Sequence, residues 1–219
     1  MYIINYQSQT ILSDIDNEFL TPIYGEITDV EDEEERVKTP CGHVTGLLIH
    51  CANFGNDGAR LLDVADSDSQ EAYDAICAVF DSDTMEPNHD VSKITEDCPW
   101  GNVFIVKELV VHPNHRGQNL GLFTLHDIIK RFGESASIII IKPYPLQFNA
   151  GMTQEKILEK GYTFLNAQGN PLSEAQAIKK LRTHYAKIGF QRVGKTEFFV
   201  RFNHLVNPIP QLLEKELVQ

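Results

Sequence analysis

The sequence predicts a mixed α/β domain, with a central mixed sheet that carries helices on both faces and a βαβ unit at its heart. Three observations predict it. NVFIVKELVVHP (102–113) is apolar on both alternating faces apart from Lys107 and Glu108, the pattern of a central strand covered on both sides. A helical stripe of Leu122, Leu125, Ile129 and Phe132 follows, with Asp127, Lys130 and Arg131 on the outside. SIIIIKP (137–143) is a second buried strand, and a strand–helix–strand unit of this kind makes its two strands parallel.

The remaining elements follow in chain order. EFLTPIYGEITDV (18–30) reads as an early strand with a proline near its start. The acidic run DVEDEEE (29–35) reads as a solvated loop, because like charges repel and stay hydrated. GHVTGLLIHCANF (42–54) is a mostly buried strand, and NDG (56–58) is a turn. Ser67 and Gln70 fit a capping box, ahead of Tyr73, Ile76, Cys77 and Phe80 on one helical face. Residues 81–101 read as a long polar loop. Pro113 stops the central strand. Residues 143–172 read as an irregular insertion with one short helix near 153–160. Ser173 and Gln176 form a second capping box, opening a helix with the stripe Ile178, Leu181, Tyr185 and Ile188 and with Gly189 as its C′ residue. FQRVG and TEFFVRF then read as an antiparallel strand pair, with a tail over 204–219. One domain over 1–219 is the economical organisation: an acidic half over 1–100 and a core over 101–203.

Composition bounds the function. The 219 residues are 42% hydrophobic and 23% charged, an ordinary globular balance. No apolar run is long enough to cross a bilayer, and the N-terminus lacks the pattern of a secretion signal. Cys41, Cys51, Cys77 and Cys98 make no CxxC pair and no zinc pattern, so reduced thiols in a cytoplasmic protein are expected. The net charge is −12. Residues 1–100 carry 22 Asp+Glu against 4 Lys+Arg; residues 101–219 carry 9 against 15. The total disfavours nucleic-acid binding, while the second half remains suited to a compact polyanion.

The turn HRGQNLG between the central strand and its helix is the natural place for that anion. A helix N-terminus presents unpaired N–H groups and a partial positive charge. Gly117 permits close approach or positive φ. Gly121 leaves space where a side chain would crowd a ligand or the facing strand, and Arg116 adds a fixed charge. A packing role alone is the alternative for such a glycine. No GxxxxGK[ST] and no GxGxxG is present, which sets aside a P-loop and a dinucleotide site.

ELVVHPNHRGQNLG resembles motif A of the GNAT superfamily of acyl-CoA-dependent N-acetyltransferases, with Arg116, Asn119 and Gly121 at the marked positions of [Q/R]-x-x-G-x-[G/A]. HYAKIGFQRVG (184–194) resembles motif B, in which a helix ends Y-x-x-x-G-F. The resemblance covers about residues 100–203, with wider spacing between the motifs because of the insertion. It implies a single GNAT-like domain that moves an acetyl group from acetyl-CoA to a primary amine. It also implies that the amides of Gly117, Gln118, Asn119, Leu120 and Gly121 hold the CoA pyrophosphate, beside Arg116. The strand backbone at Leu109, Val110 and Val111 would pair with pantetheine, with the Val110 N–H as donor to the thioester carbonyl. Asn119 departs from the motif glycine. Asn tolerates the left-handed region, and its side chain either crowds the pyrophosphate or donates to it.

Acetyl transfer needs a base, a polarised carbonyl and an acid for the leaving thiolate. By resemblance Tyr185 is the acid; on its apolar stripe it is also a core tyrosine, and a buried ring with its OH at a cleft satisfies both. Glu108 interrupts an apolar strand, which points to a general base or to an ion pair with a nearby Lys or Arg. His184 is a spare base. Trp100 and Tyr144 read as packing residues. His112 and His115 lack a third ligand, so no metal is expected. No GxSxG is present. The −18 half, beside the acceptor cleft in the GNAT arrangement, points to a cationic small-molecule or peptide amine such as a polyamine, an amino sugar or a Lys-rich peptide. A monomer or homodimer, no nucleic acid and no membrane are the expected associations. Two other readings stay open: a CoA-binding regulatory or degenerate GNAT-fold protein without turnover, and an interaction module whose acidic half docks a basic partner.

Overall fold

The computed structural model describes residues 1–8, 19–32, 37–51, 58–84, 86–95, 101–133, 135–148, 153, 155 and 172–203. Among them, seven strands form one mixed sheet. They are β1 (Tyr2–Ser8), β2 (Leu20–Asp32), β3 (Val37–Ile49), β4 (Asn102–Val111), β5 (Ala136–Ile141), β6 (Gln191–Arg192) and β7 (Phe199–Phe202). The sheet order is β1-β2-β3-β4-β5-β7-β6. β4 and β5 pair parallel; the other neighbours are antiparallel. Both halves of the chain thus share one sheet. No helix among the described residues is long and apolar enough to cross a membrane.

Helices cover both faces, and β4 shows why. Val103 and Ile105 pack in one apolar cluster with α1 (Gly58–Asp68) and α2 (Gln70–Val79). Phe104 and Val106, on the alternate face, pack with Leu122, Leu125 and Ile128 of α4 (Leu120–Phe132), and with Tyr185 of α5 (Glu174–Ala186). A short α3 (His89–Ser92) adds Val91 to the first cluster. On α4 Leu122, Leu125 and Ile128 are fully buried, whereas Ile129 is only partly buried.

α5 begins and ends as its sequence implies. Ser173 and Gln176 form the reciprocal capping box. At the other end Phe190 N–H donates to the Tyr185 carbonyl (3.3 Å) and Gly189 N–H to that of Ala186 (3.1 Å), with Gly189 at φ +88°. These are the two bonds of a Schellman ending. The Phe190 ring closes back on Tyr185, with centroids 6.3 Å apart.

Elsewhere the structure corrects the expectations. The α2 cap is Ser69, whose Oγ accepts from Ala72 N–H at 3.2 Å; Ser67 lies inside α1. The buried face of α2 is Ala72, Ala75, Ile76 and Val79, with Tyr73 and Cys77 half-buried. The acidic run is not wholly a loop, since β2 continues through Asp32. β3 begins at Val37, five residues before the expected start, and β1 was not anticipated. The 81–101 segment holds α3, capped by Asn88, and a bridge between Phe80 and Pro87. The helix expected near 153–160, Trp100, Cys98 and the 204–219 tail fall mainly or wholly outside the described residues.

Candidate functional site

β4 outruns its parallel neighbour. Pairing with β5 ends at Val106–Ile141, while β4 continues to Val111. Lys107 is a bulge residue, because Gly46 faces Val106 and Thr45 faces Glu108. Past the bulge one edge of β4 has no strand partner among the described residues. Orientation along that edge follows from β3. A Cβ on Gly42 would collide with the Val110 carbonyl, and His112 N–H donates to the Cys41 carbonyl at 2.7 Å. Val110 therefore turns its backbone groups toward β3. Leu109 and Val111, one residue out of phase, turn theirs toward the open edge. This corrects the assignment of the Val110 N–H as a donor to a ligand.

The turn closes that edge. Pro113–His115 form one 3-10 turn, and Arg116 Nε donates to the Val111 carbonyl at 2.8 Å. Arg116 thus braces the end of β4 as well as carrying charge; burial lowers its pKa from the ordinary value. Gly117 (φ +87°) and Asn119 (φ +57°) are both left-handed, so asparagine holds the conformation expected of the motif glycine. Leu122 and Phe123 N–H both donate to the Asn119 carbonyl. The amides of Gly117, Gln118, Leu120 and Gly121 have no protein acceptor among the described residues. A Cβ on Gly121 would lie 3.8 Å from Leu109 and Val111, an ordinary contact, so the facing strand does not require glycine there.

A cleft of about 410 Å³ runs along this edge, between the turn and α5. Every cofactor-site residue expected from sequence lines it except Gln118, whose Oε1 instead accepts from the Tyr2 hydroxyl at 2.6 Å. The α5 wall is Ala177, Lys180, Leu181, His184 and Tyr185, the i, i+3, i+4, i+7, i+8 face of the helix. Lys180 is a cationic group that the sequence reading missed, although its helical spacing from His184 was visible. Burial, with help from Lys187 and Lys180, pushes His184 down to about 4, so its imidazole is neutral at pH 7.

A second cavity of about 390 Å³ meets the first at Leu109, Tyr144, Leu146 and Tyr185. Tyr185 is buried, and its hydroxyl has no hydrogen-bond partner among the described residues. Burial pushes its phenol well above the ordinary range, so it stays protonated. Tyr144 lines both spaces rather than only packing, with its hydroxyl donating to the Phe148 carbonyl at 2.8 Å.

The second cavity carries the carboxylates. Glu108 Oε2 lies 3.4 Å from His43 Nε2, a partner that the sequence did not suggest. Glu71, in the first turn of α2, was not foreseen. Burial raises its pKa against the pull of Lys142 and Lys107, and Asp68 and Asp74 raise it further. The two lysines on the wall are already paired: Lys107 with Asp68 and Lys142 with Glu197, each at 2.8 Å. Glu71, Asp74 and Glu108 therefore set the sign of the cavity.

His112 and His115 do not act together. His112 Nδ1 is 3.1 Å from the Pro40 carbonyl, whereas His115 faces Cys41 and Asp29. No family model matches the chain, and no curated protein and no solved structure matches it.

Proposed function

We propose that the protein is an acetyl-CoA-dependent N-acetyltransferase acting on a cationic primary amine. The observation that carries this reading is the β4 edge at Leu109 and the Val111 N–H, which has no strand partner among the described residues. It leads from the Gly117, Gln118, Leu120 and Gly121 amides, which have no protein acceptor among the described residues, to Tyr185, where an acid-lined cavity begins. A flexible amide-bearing arm with a diphosphate at one end matches that layout: an edge to pair with, and an anion site at its end. Arg116 and Lys180 add the positive charge such a group needs.

Each step then has a residue. Glu71, Asp74 and Glu108 attract the ammonium form of the acceptor, and Glu108 or Glu71 takes its proton. The Leu109 N–H, at the junction of the two spaces, donates to the thioester carbonyl oxygen as charge develops there. The amine nitrogen attacks the carbonyl carbon, the C–S bond breaks, and Tyr185 gives its proton to the departing thiolate.

Free-thiol release from acetyl-CoA against a panel of amines tests the reading, at low and high salt. Cationic acceptors should lead by kcat/KM, with a lead that shrinks as ionic strength rises. A neutral or anionic amine leading at low salt would remove the cationic acceptor. Acetyl-CoA binding without thiol release from any amine would favour a CoA-binding protein without turnover.

A further inference from the structure

Beside the cleft, whose wall His115 also lines, three chemically distinct side chains converge from three parts of the chain. Asp29 lies on β2, Cys41 on β3 and His115 in the 3-10 turn, and one ligand atom of each falls within 4.8 Å of the others. We propose that Asp29, Cys41 and His115 form a three-ligand zinc site. This inference is independent of the acetyltransferase reading.

Backbone register builds the site. Thr28 faces Pro40 and Ile27 faces Gly42, so Cys41 is the extra residue of a β-bulge. Bulges re-aim a side chain, and this one turns Cys41 into a fully buried position. The His112 N–H bond to the Cys41 carbonyl then fixes the start of the turn against β3, which carries His115 over the thiol.

The imidazole is pre-oriented. The Tyr2 hydroxyl donates to Gln118 Oε1 at 2.6 Å, so its oxygen is left to accept from His115 Nδ1–H at 3.3 Å. That chain of donors sets the tautomer: Nδ1 carries the proton and Nε2 presents a lone pair. A metal-bound histidine is held in this way by a partner on its other nitrogen. Nε2 faces Cys41 Sγ at 3.5 Å. Two ligands of a tetrahedral zinc, with Zn–S of about 2.3 Å and Zn–N of about 2.0 Å, stand about 3.5 Å apart. Asp29 supplies one carboxylate oxygen to the cluster. Thiolate and imidazole favour a borderline-soft ion over magnesium or calcium. On binding, the Cys41 S–H bond gives way to S–Zn and one proton is released to solvent; water completes the tetrahedron.

Cobalt(II) titration of untagged, fully reduced, metal-free protein tests this, with zinc added afterwards to displace the cobalt. One equivalent should give a thiolate-to-cobalt charge-transfer band with tetrahedral visible bands, and zinc should abolish both. Cys41→Ser should remove the charge-transfer band. His115→Gln, which spares the buried thiol, should weaken binding sharply in a protein shown to be folded by circular dichroism. Tyr2→Phe should weaken it about 10–100-fold. Absence of the band in the native protein, or its persistence in both Cys41→Ser and His115→Gln, would overturn the proposal.

Discussion

His43 Nε2 lies 3.4 Å from Glu108 Oε2, and the His43 ring stacks on Tyr24 with centroids 6.1 Å apart. The pair joins β3 to the residue just past the β4 bulge, at the wall of the acid-lined cavity. A carboxylate held in this way is oriented, and an oriented base is worth more than a free one. Glu108→Gln should lower kcat by roughly 10²–10⁴-fold while leaving acetyl-CoA affinity unchanged. His43→Asn should reproduce only part of that loss. Equal kcat for wild type and Glu108→Gln, with chemistry rate-limiting, would move the base to Glu71.

Tyr185→Phe separates chemistry from packing. The ring fills the core between β4 and α5, while its hydroxyl has no hydrogen-bond partner among the described residues. Thermal stability should stay within about 0.5 kcal/mol of wild type, as for a change that removes no buried contact. kcat should fall by roughly 10²–10⁴-fold. A large loss of stability with little loss of kcat would make Tyr185 a packing residue alone.

Arg116→Ala removes a charge and, with it, the bond that braces Val111. CoA affinity should fall by about 1.5–3 kcal/mol, the range for a charged hydrogen bond. Pantetheine, which lacks the diphosphate, should lose less. Competition titrations with both ligands decide it; equal losses would mean that the turn does not hold phosphate.

Stability should depend on pH through His184. Its folded value, about 4, lies below the ordinary 6.5. Between those values the unfolded chain binds a proton that the folded chain refuses, so stability falls as pH drops from about 6.5 to about 4. Above 6.5 the contribution is complete. His184→Gln should flatten the wild-type decline of Tm across that window; parallel declines would show that other groups govern it.

The parts legible in the sequence were those whose cause is local. β4 and β5 announce themselves because burial on both faces leaves no polar alternation, and α4 by its single apolar stripe. The ending of α5 is written in Gly189 and in Tyr185 and Phe190, the last two joined directly by one of the Schellman bonds. α1 was hidden, since GARLLDVADSD carries three aspartates and no cap signal. The early part of β3 was hidden by Pro40, a residue a strand tolerates beside a bulge. The turn and Tyr185 were visible as site residues, but His43 beside Glu108 and Cys41 beside His115 were not. Those pairs are set by register and by two bulges, across 65 and 74 residues, and no short-range pattern encodes them. The orientation of Val110 was lost for the same reason. A residue's number does not say which neighbour its N–H faces until the pairing is known.

The central claim is that the β4 edge and the turn after it hold coenzyme A. Amide hydrogen exchange with and without saturating acetyl-CoA tests it most directly, because the donors without an acceptor among the described residues are backbone N–H groups. Exchange should slow across residues 109–121 and along the 177–185 face of α5, and stay unchanged on β1. Binding with protection elsewhere and none over 109–121, or no binding at all, would contradict the account.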